Sequence, residues 1–135
     1  MVGCTGAIRW GVLMHPGCSI SQVYLCRTPI DFRKGMSGLS VLVEQELGLN
    51  PFAHALFVFV NRSRNKIKIL YWHRNGFCLW MKRLEAEKFA WILASHDPQD
   101  EVHHSISMQE LTRLLEGYNI WQNKPHKALN FTSVS

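Results

Sequence analysis

Residues 65–83 read NKIKILYWHRNGFCLWMKR, and the Asn75-Gly76 pair inside that run constrains the chain more than any other feature. Asn-Gly between two apolar runs is the strongest short-range hairpin signal, because both residues of a type I′ turn take positive φ. A β-branched residue at Gly76 is then expected to destabilise the hairpin. A two-residue turn there sets Arg74 opposite Phe77, Trp72 opposite Leu79, Leu70 opposite Met81 and Lys68 opposite Arg83 on one face. The other face carries His73 with Cys78, Tyr71 with Trp80, Ile69 with Lys82 and Ile67 with Leu84. Aromatics fall on both faces, so at least one face packs on helices. The charges collect at the end away from the turn. The aromatics therefore read mostly as core, and the basic end as the part free to bind.

The flanking sequence supplies the covering elements. Residues 22–27 (QVYLCR) are a short β-prone segment closed by Thr28-Pro29. Leu39, Leu42, Val43 and Leu47 recur at helical spacing and predict a helix over 37–47. Ser37 is its expected N-cap, Asp31 a competing cap for an earlier start, and Gly48 the stop. Asn50-Pro51 turns the chain into ALFVFV at 55–60, a continuous apolar run of the kind covered on both faces. Residues 61–65 are polar and read as a loop, 84–90 as a short helical turn, and 102–106 as a weak strand. Ser107-Met108-Gln109-Glu110 is a capping box opening a helix over 108–116, with Leu111, Leu114 and Leu115 as its buried stripe and Gly117 as its end. The expected fold is a small single α+β domain, an antiparallel β-meander packed against two main helices. Residues 22–121 form that domain, 1–21 a flexible lead-in and 122–135 a polar tail.

A chain of 135 residues is one domain by length and long enough for a core without staples. Cys4, Cys18, Cys26 and Cys78 contain no C-x-x-C pair, and they read as reduced thiols of a cytoplasmic protein. The N-terminal MVGCTGAIRWGVLM lacks a positive n-region and is interrupted by Arg9, so it fails as a signal peptide. No run approaches the roughly 20 apolar residues of a membrane span. The location of the net charge of +5 is more telling than its size. Between Arg62 and Lys88 stand eight basic residues against Glu85 and Glu87, so that segment carries +6 and the rest of the chain −1. Such concentration marks a polyanion-binding face, or a solvated rim that keeps the protein soluble.

The chemistry of a catalyst is missing from the letters. Glu44 with Glu46, and Glu85 with Glu87, diverge on a helix and read as solvated charges. His103 and His104 point to opposite sides of a strand and cannot share one metal. His73 and Cys78 as cross-strand neighbours are only two ligands. Ser37 in GMSGL lacks the nucleophile-elbow pattern. No metal, cofactor or catalytic residue is expected. The candidate nucleic-acid contacts are Arg62, Arg64, Lys66, Lys68 and Arg83 at the hairpin, with Arg33 and Lys34 beside a helix start, where cations and backbone amides can hold a phosphate. Equally, Asp31 pairs with Arg33 or Arg83 and locks a corner.

Three blocks, PIDFRKGMSGL, LFVFVNRSRNKIKILYWHRNGFCLWMKRLE and SMQELTRLLEGYNIW, together resemble the TnpB accessory protein, the second open reading frame, of the insertion-sequence sixty-six (IS66) family. That family is distinct from the RNA-guided nuclease sharing the name. The likeness runs from about Gln22 to about Asn130. It implies a bacterial mobile-element protein that assists transposition without catalysis, beside a larger protein carrying the acidic catalytic residues. The implied partners are DNA at the element ends, the transposase and other proteins of the element, and no membrane. A protein-binding adaptor with no nucleic-acid affinity is the alternative. The family often has Asp where Ser37 stands, and Trp-Pro where this chain has Trp91-Ile92. Its members start close to the first strand, which makes Met14 the expected start and residues 1–13 upstream sequence.

Overall fold

In the computed structural model, which describes residue 20 and residues 22–121, the run ALFVFV becomes strand β2 (Ala55–Val60), and every one of its residues is buried. Side chains alternate along a strand, so Leu56, Val58 and Val60 enter one core while Ala55, Phe57 and Phe59 enter another. A strand buried on both faces needs neighbours on both edges and a layer above and below. The sheet meets the first need with five strands in the order β4-β3-β2-β1-β5: β1 (Gln22–Cys26), β3 (Lys66–His73), β4 (Gly76–Arg83) and β5 (His103–Ile106) join β2.

Strands β2, β3 and β4 form the expected meander. Strand β1 departs from it by pairing parallel to β2, with β5 antiparallel on its far edge. Parallel neighbours require a crossover connection, and helix α1 (Met36–Gln45) supplies it. Helix α1 packs Leu39 and Val43 onto Phe57, Phe59 and Leu70. The opposite face is covered by α2 (Met108–Leu115) together with Phe89, Trp91 and Ile120. Helix α2 starts as its sequence predicts: the Glu110 amide donates to Ser107 Oγ at 3.0 Å and the Ser107 amide donates to Glu110 Oε1 at 2.9 Å. Gly48 (φ 67°) and Gly117 (φ 99°) end the helical segments in the left-handed region, where the missing Cβ removes the steric penalty.

The hairpin turn lies elsewhere than expected. Gly76 pairs with His73, Phe77 with Trp72, Leu79 with Leu70 and Arg83 with Lys66, a register two residues off the predicted one. The Asn75 amide donates to the His73 carbonyl at 2.6 Å, and Arg74 between them has φ 60°, the geometry of a γ-turn. Gly76 lies outside the left-handed range, and a Cβ there would meet nothing within 4 Å. Cross-strand chemistry accounts for the shift. The observed register sets Ile69 opposite Trp80 and Trp72 opposite Phe77, where the predicted one set Ile69 opposite Lys82. A slip of two preserves the faces because the side-chain period is two, so the core assignments survive. His73 and Cys78 are not neighbours, since Cys78 faces Tyr71.

Two further expectations are corrected. Ser37 is not the cap of α1; Gly35 takes that position with no side-chain bond, and Ser37 lies exposed in the first turn. The competing cap, Asp31, is turned back onto Arg33, whose amide donates to it at 2.9 Å. Residues 84–90 form no helical turn, because their donors run outward: the Leu84 amide bonds the Asn65 carbonyl (2.8 Å) and the Phe89 amide the Arg64 carbonyl (2.7 Å). The lead-in, apart from Ile20 at residue 20, and the tail 122–135 lie outside the described residues, as do Cys4, Cys18 and the Met14 start.

Arg27, just past β1, anchors the long connection to β5. Its guanidinium donates to the carbonyls of Ile92 (3.1 Å), Leu93 (3.1 Å) and Glu101 (3.0 Å) and to the Asp100 carboxylate. Asp100 also accepts from the Ser95 amide at 2.7 Å, and these bonds, the Ser95 amide first and Arg27 second, hold its pKa down at about 2 against the usual 3.8.

Three tests follow from this geometry. Arg74→Gly relieves a left-handed non-glycine residue and should stabilise the domain by ~1 kcal/mol, raising Tm by a few degrees. Gly76→Val should change stability by no more than about 0.5 kcal/mol, since the position is an ordinary strand residue with room for a side chain; thermal melts of both variants check this. The depressed Asp100 carboxylate stabilises the 92–101 connection fully above its ordinary pKa of 3.8 and loses that effect as pH falls toward about 2. Exchange of the Ser95 amide should accelerate, relative to a β2 amide, across that window. Asp100→Asn should show the accelerated rate already at neutral pH.

Candidate nucleic-acid interface

The topology gathers the chain's basic loops at one end of the sheet. Strands β1, β2 and β4 finish there and β3 begins there, so the loops at 27–35 and 61–65 lie side by side. A parallel bridge between Ile30 and Asn61, with the Ile30 amide donating to the Val60 carbonyl at 2.9 Å, ties the two loops together.

Asn61 gives the second loop its shape. Its Oδ1 accepts from the amides of Asn65 and Lys66 at 3.0 Å each, and its Nδ2 donates to Asn65 Oδ1 at 2.7 Å. The Arg64 amide donates to the Asn61 carbonyl at 2.9 Å, and Arg64 itself takes φ 61°. A short asparagine side chain thus replaces three bonds that a flexible loop would leave to water. Arg62 and Ser63 stand exposed at the tip. The signal for this staple is Asn61 and Asn65 flanking R-S-R, a finer pattern than the polarity that marks 61–65 as a loop.

The seven predicted cations divide by what holds them. Lys68, on the α1 face of β3, donates to the carbonyls of Phe32 (2.8 Å) and Lys34 (3.2 Å) and sits 4.8 Å from the Phe32 ring centroid. Burial, and secondarily Lys66, lower its pKa. Lys68 therefore fastens the loop that carries Arg33 and Lys34. Arg33 folds onto Asp31, donating from Nε at 2.9 Å and from its terminal nitrogen. Those hydrogen bonds hold the Asp31 carboxyl well below the usual range and raise the Arg33 pKa. Of the two pairings open to Asp31, Arg33 is the one formed. Arg83 pairs instead with Glu85 at 3.1 Å, an exposed contact of little energetic weight.

Arg62, Arg64, Lys66 and Lys34 remain. None forms an ion pair among the described residues, although the Arg62 charge helps Arg33 to hold down the pKa of Asp31 across a depression that Arg62 and Asp31 both line. Arg62 and Lys34 are exposed, whereas Arg64 and Lys66 are half-buried. Arg62 borders an open depression of about 340 Å³ lined by Ile30, Asp31, Phe32, Arg33, Asn61 and Ser63. The cations at the end of the sheet thus comprise a set spent on the loops and a set presented by them. Nearby, Lys82 of the same basic segment points to the other face and donates to the Leu115 carbonyl at 2.8 Å, closing the C-terminus of α2.

The remaining reactive side chains lie apart. His103 packs edge-on against Tyr24 and His104 against Trp121, on opposite faces of β5. Among the described residues no group of three or more His, Cys, Asp or Glu could hold a metal ion. Cys26 is buried and its thiol is pushed up to about 11, chiefly by that burial. It and Cys78 carry free thiols. No helix of the described residues is long and apolar enough to cross a membrane.

Comparison with known proteins adds the context. Residues 21–125, which include every strand and both helices of the described residues, match the family described as IS66 Orf2 like protein. An uncharacterized protein of Sinorhizobium fredii, y4hO, is 32% identical over 110 residues, covering 82% of this chain and 90% of the relative. A second from the same organism, y4jC, is 35% identical over 68 residues, covering 50% of this chain and 58% of the relative. No solved structure matches the chain significantly. The match spans the whole sheet and the loops that carry the cations, and the chain belongs to the IS66 Orf2-like family, the TnpB_IS66 proteins of insertion sequences.

Proposed function

We propose that this chain is a non-catalytic accessory protein that assists DNA transposition by contacting the ends of its element through the basic end of the sheet, working beside the transposase. One observation carries the reading: a loop stapled by Asn61 presents Arg62 to solvent, with Arg64 and Lys66 in the same segment, and none of these three forms an ion pair among the described residues. Cations fixed in place lose less conformational freedom on meeting a phosphate than cations on a mobile loop. Arg83 joins them once its exposed partner Glu85 exchanges for phosphate, and Arg33, whose guanidinium is exposed, adds its charge while it stays on the half-buried Asp31. Lys68 contributes by holding the Phe32 and Lys34 carbonyls.

A partner-binding adaptor is the second reading, and a separate feature favours it. A groove of about 400 Å³ between α1 and the β1 side of the sheet has an apolar floor of Ile30, Val41, Leu42 and Val102, with Lys34 and Glu46 also lining it. Apolar contacts beside charges of both signs, one of them a carboxylate that repels phosphate, suit a protein segment better than a nucleic acid.

Salt separates the two. Affinity for element-end DNA should fall with salt by a log–log slope of about −0.9 per phosphate neutralised. Arg62→Ala combined with Arg64→Gly should flatten that slope by roughly 2 units. Glycine is the choice at residue 64 because of its left-handed φ of 61°, so the double variant should melt no lower than the parent. Unchanged DNA affinity in the folded variant would pass the lead to the adaptor, with transposase pull-down as its test.

A further inference from the structure

Not all of the hairpin's aromatics are core. On the α1 face, at the turn end of the hairpin near exposed Arg74 and opposite the main cluster of cations, Phe52, Trp72 and Phe77 form a trio with ring centroids 4.9, 5.3 and 5.0 Å apart. Phe52 is 54% exposed, and Trp72 and Phe77 are half-buried. The Asn50-Pro51 turn places Phe52 there, with Asn50 Oδ1 accepting from the Phe52 amide at 3.0 Å. The same face of β4 then continues through Leu79 and the 49% exposed Met81 to Arg83, which pairs with Lys66. Six residues of strand separate Phe77 from Arg83, about 20 Å. One strip, in which Phe77 and Leu79 also lean on the core beneath α1 and keep one side half-exposed, is therefore aromatic at one end, apolar along its length and cationic at the other.

Resting on the DNA-contact reading above, we infer that this strip takes single-stranded DNA, with unstacked bases on the Phe52–Trp72–Phe77 platform and phosphates at Lys66 and Arg83. Flat rings and cations on one face match a ligand that is itself flat, apolar and anionic. A duplex hides its base faces in its own stack and offers such a platform nothing to bind. A protein segment would need carboxylates for the cationic end, and a second copy of this chain, at net charge +5, brings an unfavourable overall charge.

The experiment compares four oligomers of equal length with the full chain: oligothymidylate, oligouridylate, an abasic deoxyribose-phosphate strand, and a duplex. Oligothymidylate should bind at least about tenfold more tightly than the abasic strand, because stacking on an aromatic side chain contributes on that scale. Phe52→Ala should weaken oligothymidylate binding about tenfold while leaving the salt slope unchanged, since no phosphate contact is lost. Phe52→Trp should restore it. Equal affinity for the thymidylate and abasic strands would overturn the inference, and so would an unaffected, folded Phe52→Ala protein. Tighter binding to oligouridylate would overturn the assignment to DNA. Duplex binding that responds to Arg62 and Arg64 but not to Phe52 would overturn the inference while sparing the DNA-contact reading; no binding to any strand would remove both.

Discussion

Six consecutive residues with at most 2% exposure, Ala55 to Val60, are the constraint on which the rest of the domain depends. Burying both faces of β2 forces two covering layers. One is α1, carried on the crossover from β1. The other is assembled from α2 and the irregular segment that contributes Phe89 and Trp91. An irregular covering layer must still satisfy its backbone and indole groups. It does so through the Arg64 and Asn65 carbonyls, through Arg27, and through Trp91 Nε1 donating to the Cys26 carbonyl at 2.9 Å.

That same requirement shapes the basic end. The loop at 61–65 lends carbonyls to residues 84 and 89 on one side and is stapled internally by Asn61, so it is part of the fold as well as a boundary of it. The loop at 31–34 is held by Lys68 from below and by Asp31 onto Arg33 from within. Electrostatics at this end is therefore layered. Cations that make short bonds to carbonyls or to Asp31 organise the loops, and the loops in turn present Arg62 and Lys34. A basic surface built this way is preorganised, because its loops are fixed by hydrogen bonds before any ligand arrives.

Much of this was legible from residues that act on near neighbours. The two-sided burial of β2, the helical stripes, the Ser107 capping box and the stops at Gly48 and Gly117 each depend on chemistry within a few positions, and each stands in the structure. The faces of the hairpin were legible too, since alternation survives a slip of two. The concentration of charge between Arg62 and Lys88 needed only counting.

Tertiary structure decided what depends on partners far away in the chain. Whether Ile69 meets Trp80 or Lys82 is settled by contacts across the whole hairpin, and that competition displaced the turn from its local Asn-Gly signal. The parallel pairing of β1 with β2 rests on where α1 can lie. Which cation serves the fold and which faces solvent is set by the carbonyls that packing brings near it, as Lys68 and Phe32, 36 positions apart, show. By itself the sequence determined the elements, their apolar faces and the place of the charge. Register, strand direction and the division of the cations were left to the folded state, because each is a choice between distant groups that local letters do not rank.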